Sequence, residues 1–193
     1  MTEKYVQDQH FENVENVGLP WQSPDTHYEN CTFSGCNFQK TDLSNVKFFD
    51  CRFEHCDLSL AKITETIFQQ AVFRDCKLSG LLFDSCNAFA LEMHFWDCKL
   101  DHSSFYGLKL DKTTFRDCSL KDVDFSSAQL KEAVFSGSDL LDAKFDQTNL
   151  EKADFSTAVN YAIDPQHNKV SGAIFSLEGL PGLLGAYKIK IVP

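Results

Sequence analysis

The sequence lacks the features that mark a membrane protein, a secreted protein or a common enzyme. No apolar run is long enough to span a bilayer, and the polar start from Met1 to His10 is unlike a signal peptide. We therefore expect a cytoplasmic protein. There is no glycine-rich phosphate loop and no nucleophile elbow, and the six histidines follow no metal-binding spacing. We predict no catalytic residues, no metal and no cofactor, and hence no enzyme.

Basic residues are also scarce. The chain has 18 Lys and Arg against 28 Asp and Glu, which gives a net charge of −10. Residues 31–160 alone carry twenty acidic and fourteen basic side chains. A mildly acidic surface of this kind argues against direct binding of nucleic acid.

Phenylalanine, in contrast, is abundant, with 18 in 193 residues, and its spacing is regular. From Phe95 to Phe155 every fifth residue is Phe or Leu, and the two types alternate. A period of five is neither the helical 3.6 nor the strand period of two, and it predicts a repeat architecture. The positions are Phe95, Leu100, Phe105, Leu110, Phe115, Leu120, Phe125, Leu130, Phe135, Leu140, Phe145, Leu150 and Phe155.

An earlier run with the same period extends from Tyr28 to Phe83. Phe95 lies twelve residues after Phe83, two more than two units require. The repeat therefore slips within residues 84–94, and we predict a bulge or a short excursion from the coil there. An insertion without any role is the alternative.

Two units, Ala153–Thr157 and Ser138–Asp142, resemble the A(D/N)LXX unit of the pentapeptide-repeat proteins. The resemblance implies an all-β fold, a right-handed quadrilateral β-helix with about twenty residues per turn. In such a helix the Phe column that contains Phe95 and Phe115 stacks on one side. The column that contains Phe105 and Phe125 stacks on the opposite side, and Leu fills the other two.

Eight cysteines would suggest disulfides in a small secreted chain, but their positions argue otherwise. Each lies two places before the central residue of a unit, where a small buried side chain fits. Spacings of five residues do not match zinc sites. With twenty residues per turn they form vertical ladders of reduced thiols, which suits a cytosolic protein. They are Cys31, Cys36, Cys51, Cys56, Cys76, Cys86, Cys98 and Cys118.

The ends of the chain do not follow the repeat. We predict an N-terminal cap at residues 1–25, a solenoid at 26–176 and a C-terminal segment at 177–193. Exposed sheet edges at solenoid ends need such covers. The C-terminal segment is predicted to contain a short helix around Leu180–Leu184 and a strand at Lys188–Val192, because Lys and apolar residues alternate there.

Beyond the repeat, the chain resembles one subgroup: the Qnr and mycobacterial quinolone-resistance proteins and the microcin and albicidin immunity proteins. The more specific parts are Cys56–Ser59, Phe105–Leu108, Val159–Asp164 and the ending Phe175–Ile191. The resemblance implies an acidic rod that mimics duplex DNA and protects DNA gyrase and topoisomerase IV from poisons. It also implies a homodimer through the C-terminal helix. A generic protein-interaction scaffold, with a partner unrelated to topoisomerases, is the alternative.

Two groups of residues are the candidate sites. Acidic and aromatic side chains on the outer surface are the candidates for partner binding: Asp97, Asp101, Asp117, Asp122, Asp139, Asp142, Trp96 and Tyr106. Apolar side chains near the C-terminus are the candidates for dimerisation: Leu180, Leu183, Leu184, Tyr187 and Ile189.

Overall fold

The chain folds as a β-solenoid of about eight turns. The computed structural model describes residues 4–15, 26–89 and 91–190. Positions on successive turns pair in parallel and in register, as Phe33 does with Phe53 and Phe53 with Phe73. Large side chains are buried at every fifth residue, so four of them line each turn. The predicted all-β pentapeptide-repeat helix is thereby confirmed.

Short strands form where two to four residues of adjacent turns pair. One sheet contains β1 (Lys4–Gln7), β3 (Thr26–Glu29), β5 (Lys47–Phe49) and β7 (Ile67–Gln69). The largest sheet contains β2 (His10–Glu12), β4 (Thr32–Ser34), β6 (Arg52–Glu54), β8 (Ala71–Arg74), β9 (Met93–Trp96) and β10 (Phe115–Arg116). A third pairs β11 (Asp154–Phe155) with β12 (Ile174–Phe175). Short 3-10 helices cover Phe83–Ser85, Leu180–Leu183 and Gly185–Tyr187.

We number the four faces by the core residues that stack behind them. Face 1 has Phe33, Phe53, Phe73, Phe95, Phe115, Phe135 and Phe155. Face 2 has Phe38, Leu58, Leu78, Leu100, Leu120 and Leu140. Face 3 has Leu43, Ile63, Phe83, Phe105, Phe125 and Phe145. Face 4 has Tyr28, Phe48, Phe68, Leu110, Leu130 and Leu150.

The phenylalanines pack as two facing stacks. Along face 1 the rings of Phe95, Phe115 and Phe135 lie parallel, with successive centroids 5.1 Å apart. Phe105 on face 3 meets Phe115 edge to face at 5.5 Å, with an interplanar angle of 81°. Both arrangements suit the ring quadrupole. The alternation of Phe and Leu therefore fills the core with rings on two opposite sides and Leu on the others.

The corners of the solenoid lie two residues after each central residue. There the backbone adopts the left-handed conformation, as at Asp97, Asp117, Asp122 and Asp142, whose φ angles lie between 54° and 59°. Asp and Asn tolerate this conformation better than most side chains. The turn geometry therefore favours Asp and Asn at the corners.

The register shifts by two residues within 84–94. Up to Asn87 the chain keeps the ordinary register, since Asn87 N donates to Thr66 O on the preceding turn. By Phe95 the register has shifted, because Phe95 pairs with Phe73 across a turn that is longer than the regular ones. The chain bulges between these points, and the ring of Phe89 is 79% exposed. An Asx turn, in which Phe89 N donates to Asn87 Oδ1 at 2.9 Å, shapes the bulge.

The N-terminal segment differs in part from the predicted non-repeating cap. Residues 16–25 lie outside the described residues, but β1 and β2 pair in register with the first turn. Val6 and Phe11 occupy the central positions below Tyr28 and Phe33. The number of residues from Val6 to Tyr28, and from Phe11 to Phe33, is not a multiple of five. The period of five therefore did not predict this turn. The division into 1–25, 26–176 and 177–193 stays a prediction.

The C-terminal segment forms two short 3-10 helices, Leu180–Leu183 and Gly185–Tyr187, where one short helix was predicted. The predicted strand at 188–192 does not form at residues 188–190, and 191–192 lie outside the described residues. Lys188 turns the chain with a φ of 50°, which is incompatible with a strand.

All eight cysteines are buried and unpaired, as predicted. Five of them stand in one column beside face 2: Cys36, Cys56, Cys76, Cys98 and Cys118. The thiol of Cys76 contacts Phe53 O at 3.4 Å and Arg74 O at 3.3 Å, and Cys56 has equivalent contacts. These two thiols therefore form weak hydrogen bonds to carbonyls of two successive turns.

Candidate partner-binding surface

The six aspartates singled out in the sequence frame one side of the rod. Turns after the register shift bring them together on face 2 and its two edges. They are Asp101 and Asp139 on the face, Asp97 and Asp117 at the corner with face 1, and Asp122 and Asp142 at the corner with face 3. Corner residues on successive turns lie about 4.8 Å apart.

Two of these carboxylates are held by neighbours on the face. Asp101 Oδ1 accepts hydrogen bonds from Ser119 Oγ at 2.6 Å and from Lys121 N at 3.1 Å. Asp139 contacts Lys121 Nζ at 3.2 Å and accepts from Asn160 Nδ2 at 2.7 Å. Partial burial raises the pKa of Asp139, but the Asn160 and Lys121 contacts outweigh it, so that its pKa is below the usual value. Asp139 is therefore a fixed anion at neutral pH.

The corner aspartates are more open. Asp97, Asp117 and Asp142 are exposed and form no ion pair within the described residues. Asp122 lies 3.5 Å from His102 Nδ1. Carboxylates that already protrude and are not held in an ion pair are the ones best placed to meet a cationic partner.

The two candidate aromatic residues lie on opposite sides of the rod. Trp96 is on face 1, half-buried, with Arg74 Cζ 5.7 Å from its ring centroid. Tyr106 is on face 3, where its side chain is 55% exposed. The structure therefore does not join them in one anchor. On face 3, Leu60 and Leu82 line a shallow groove of about 250 Å³.

The sequence pattern alone did not reveal the arginines of face 1. Arg74 and Arg116 follow the central Phe of β8 and β10, and Arg52 precedes that of β6. The recurring Phe-Arg-Asp-Cys at 73–76 and 115–118 is a signal that could have found them. It places an arginine on the face and an aspartate at the corner in two turns.

The candidate dimerisation residues form the exposed end of the rod. Leu183 packs against the core, whereas Leu180 and Leu184 are 40% and 36% exposed. Tyr187 and Ile189 are 53% and 57% exposed. The end is anchored by Tyr161, which fits closely against Gly179 and Gly182. At Gly182 a side chain would collide with the Tyr161 backbone.

Neither a metal cluster nor a membrane span emerges from the described residues. No three or more His, Cys, Asp or Glu among them converge on a possible metal position. In the same ranges no helix has the length and apolar character to cross a bilayer. The described chain is a solenoid with four distinct faces.

Comparison with known families identifies the class. Residues 83–155 match the family described as "Pentapeptide repeat region", and residues 29–64 and 43–80 match "Pentapeptide repeats (8 copies)". The chain belongs to the pentapeptide-repeat family, whose solenoids are generally non-enzymatic scaffolds. Among curated proteins, none matches the sequence significantly.

Two solved structures share the fold at low identity. A trypsin-treated variant of QnrB1, a plasmid-mediated fluoroquinolone resistance protein, has a TM-score of 0.65 at 16% identity, covering 97% of this chain and 100% of that one. HetL, involved in heterocyst differentiation regulation in the cyanobacterium Nostoc, has a TM-score of 0.70 at 17% identity, covering 92% and 88%. Such identities show the fold alone.

Proposed function

We propose that this protein is an acidic DNA mimic that binds DNA gyrase or topoisomerase IV and protects it from topoisomerase poisons. The observation that carries the proposal is the frame of six aspartates around face 2. The structural likeness to QnrB1 and the sequence resemblance to the topoisomerase-protecting subgroup support it.

Charge magnitudes decide how the mimicry works. Residues 31–160 form about seven of the turns and so span about 35 Å, and duplex DNA of that length carries about twenty negative charges. The repeat at 31–160 has twenty acids and fourteen bases, so its net charge is only −6. Total charge is therefore far too low, and mimicry depends on clustering.

The clustering is one-sided. Face 2 and its edges carry six aspartates between Asp97 and Asp142, against Lys99, Lys121 and His102. Face 4, on the opposite side, carries Lys109, Lys112, Lys131 and Lys152 in the same turns, beside Asp111, Glu132 and Glu151. A polarised rod of this kind presents one acidic stripe to a DNA-binding groove.

The test is a DNA supercoiling assay with gyrase and a poison, with and without the protein. Neutralising the exposed corners in the variant Asp97→Asn, Asp117→Asn, Asp122→Asn, Asp142→Asn should weaken protection and reduce the salt dependence of binding. A matched control changes four aspartates elsewhere: Asp50→Asn, Asp84→Asn, Asp111→Asn and Asp146→Asn. Equal protection by both variants removes DNA mimicry as the mechanism.

A second candidate is a protein-interaction scaffold whose partner is unrelated to topoisomerases. Its support is the low net charge of the repeat and the likeness to HetL, which is involved in the regulation of differentiation. If the wild-type protein binds neither gyrase nor topoisomerase IV, this candidate is favoured.

A further inference from the structure

Arginine and lysine are segregated on the surface of the rod. Of the 18 basic residues three are arginines, Arg52, Arg74 and Arg116, which leaves fifteen lysines. All three arginines lie on face 1 itself and none of the lysines does, although Lys112 and Lys152 stand at its corner with face 4. A surface that needed positive charge only for solubility would use both types. The separation indicates that face 1 uses the guanidinium group itself.

Two of the three arginines flank one tryptophan. Arg74, Trp96 and Arg116 occupy the same position of β8, β9 and β10, so Trp96 stands between two arginines. The guanidinium of Arg74 lies over the ring of Trp96 at 5.7 Å. The ring of His94 also lies 5.7 Å from that of Trp96. Trp96 is therefore held in place on the sheet before any partner arrives.

This composition is typical of a protein-binding surface. Arg and Trp are enriched among residues that dominate binding energy, whereas Lys is depleted in interfaces. The three arginines are exposed and form no ion pair with the described residues. A guanidinium is weakly hydrated and binds a carboxylate with two parallel hydrogen bonds. Face 1 can therefore receive carboxylates at little desolvation cost.

The charges beside the arginines exclude a uniform polyanion as the ligand. Asp75, Asp97 and Asp117 form the adjoining corner, one residue away from Arg74, Trp96 and Arg116. A phosphate backbone on face 1 would be repelled by these carboxylates. It would also be repelled by the net charge of −10 of the whole chain. A protein surface, which carries charges of both signs at separate positions, can match such neighbouring stripes.

We propose that face 1, through Arg74, Trp96 and Arg116, docks on a carboxylate-bearing protein element of the topoisomerase beside its DNA-binding groove. The inference rests on the proposed function and explains its selectivity. Negative charge alone suits any DNA-binding protein, because phosphate contacts carry no sequence or partner information. Face 1 has features that DNA lacks, so it determines which enzyme is bound.

The experiment measures binding of the full-length protein to purified gyrase and topoisomerase IV. We expect Arg74→Glu with Arg116→Glu to weaken binding at least tenfold, and Trp96→Ala to weaken it several-fold. Lys109→Glu with Lys131→Glu, the same charge change on face 4, should leave affinity within about twofold of wild type. Unchanged thermal unfolding of each variant verifies the fold.

Binding of the face 1 variants at wild-type affinity overturns the inference while the proposed function stands. Failure of the wild-type protein to bind either enzyme refutes the proposed function, and the inference falls with it. Two further measurements identify a different occupant. Loss of labelled duplex DNA binding in the arginine variant would assign face 1 to nucleic acid, and a changed sedimentation coefficient would assign it to a second copy. Either result contradicts the inference.

Discussion

At the scale of single residues, Phe115 shows what stabilises a turn. Its ring is fully buried and stacks between Phe95 and Phe135, with Phe105 and Phe125 at its edges. Phe115→Ala should lower the free energy of unfolding by about 3–5 kcal/mol, because it removes the ring and leaves a cavity that rigid neighbours cannot fill. Chemical denaturation measures this, with Phe115→Leu as a milder control. A loss below about 1 kcal/mol contradicts the packing.

A corner glycine provides a second test at this scale. Gly137 has a φ of 73°, and a side chain there would collide with the carboxylate of Asp117 on the turn before. Gly107 has a similar φ of 68° but open space around it. Gly107→Ala should cost about 1 kcal/mol for backbone strain alone. Gly137→Ala should lower the free energy of unfolding by more than Gly107→Ala does in the same denaturation measurement. Equal losses would show that the Asp117 side chain can move aside without cost.

At the scale of elements, the cysteine column should behave as packing and not as redox chemistry. All eight cysteines, including the five of the column, are buried and so shielded from reagents, and outside the column burial also raises the pKa of Cys51 to about 12. A reagent that attacks thiolates should therefore leave native thiols largely unmodified and react with all eight after unfolding. A population of disulfide-linked protein after purification would contradict this prediction.

The elements also show what a sequence can and cannot predict. The columns behind faces 1 and 3 followed from the period of five, because each side of each turn needs one large buried residue. The strands β1 and β2 were missed because their offset to the next turn is not a multiple of five. The arginine face was missed for a similar reason, since the register shift separates Arg74 from Trp96, its neighbour on the next turn. Which residues are neighbours on the surface depends on the length of every turn between them, and the local repeat pattern does not give those lengths.

At the scale of the whole molecule, the rod has one end that remains apolar. Around the last stacked ring, Phe175, the side chains of Ile174 and Leu177 are 53% and 78% exposed. Leu180, Leu184, Tyr187 and Ile189 extend this surface, which we call the terminal apolar surface. A group of exposed apolar side chains at one end of a solenoid is a candidate interaction site. Two-fold pairing is the commonest way in which such a surface is covered.

We therefore predict a homodimer joined end to end through the terminal apolar surface. An aspartate in place of Leu184 would bury an unpaired charge between the two chains, so Leu184→Asp should dissociate the dimer. Leu82→Asp makes the same change at an exposed leucine of face 3 and should leave the dimer intact. Analytical ultracentrifugation distinguishes one chain of 21.9 kDa from two. A monomeric wild-type protein at micromolar concentration contradicts the dimer, and a dimer that tolerates the charge at 184 has its interface elsewhere.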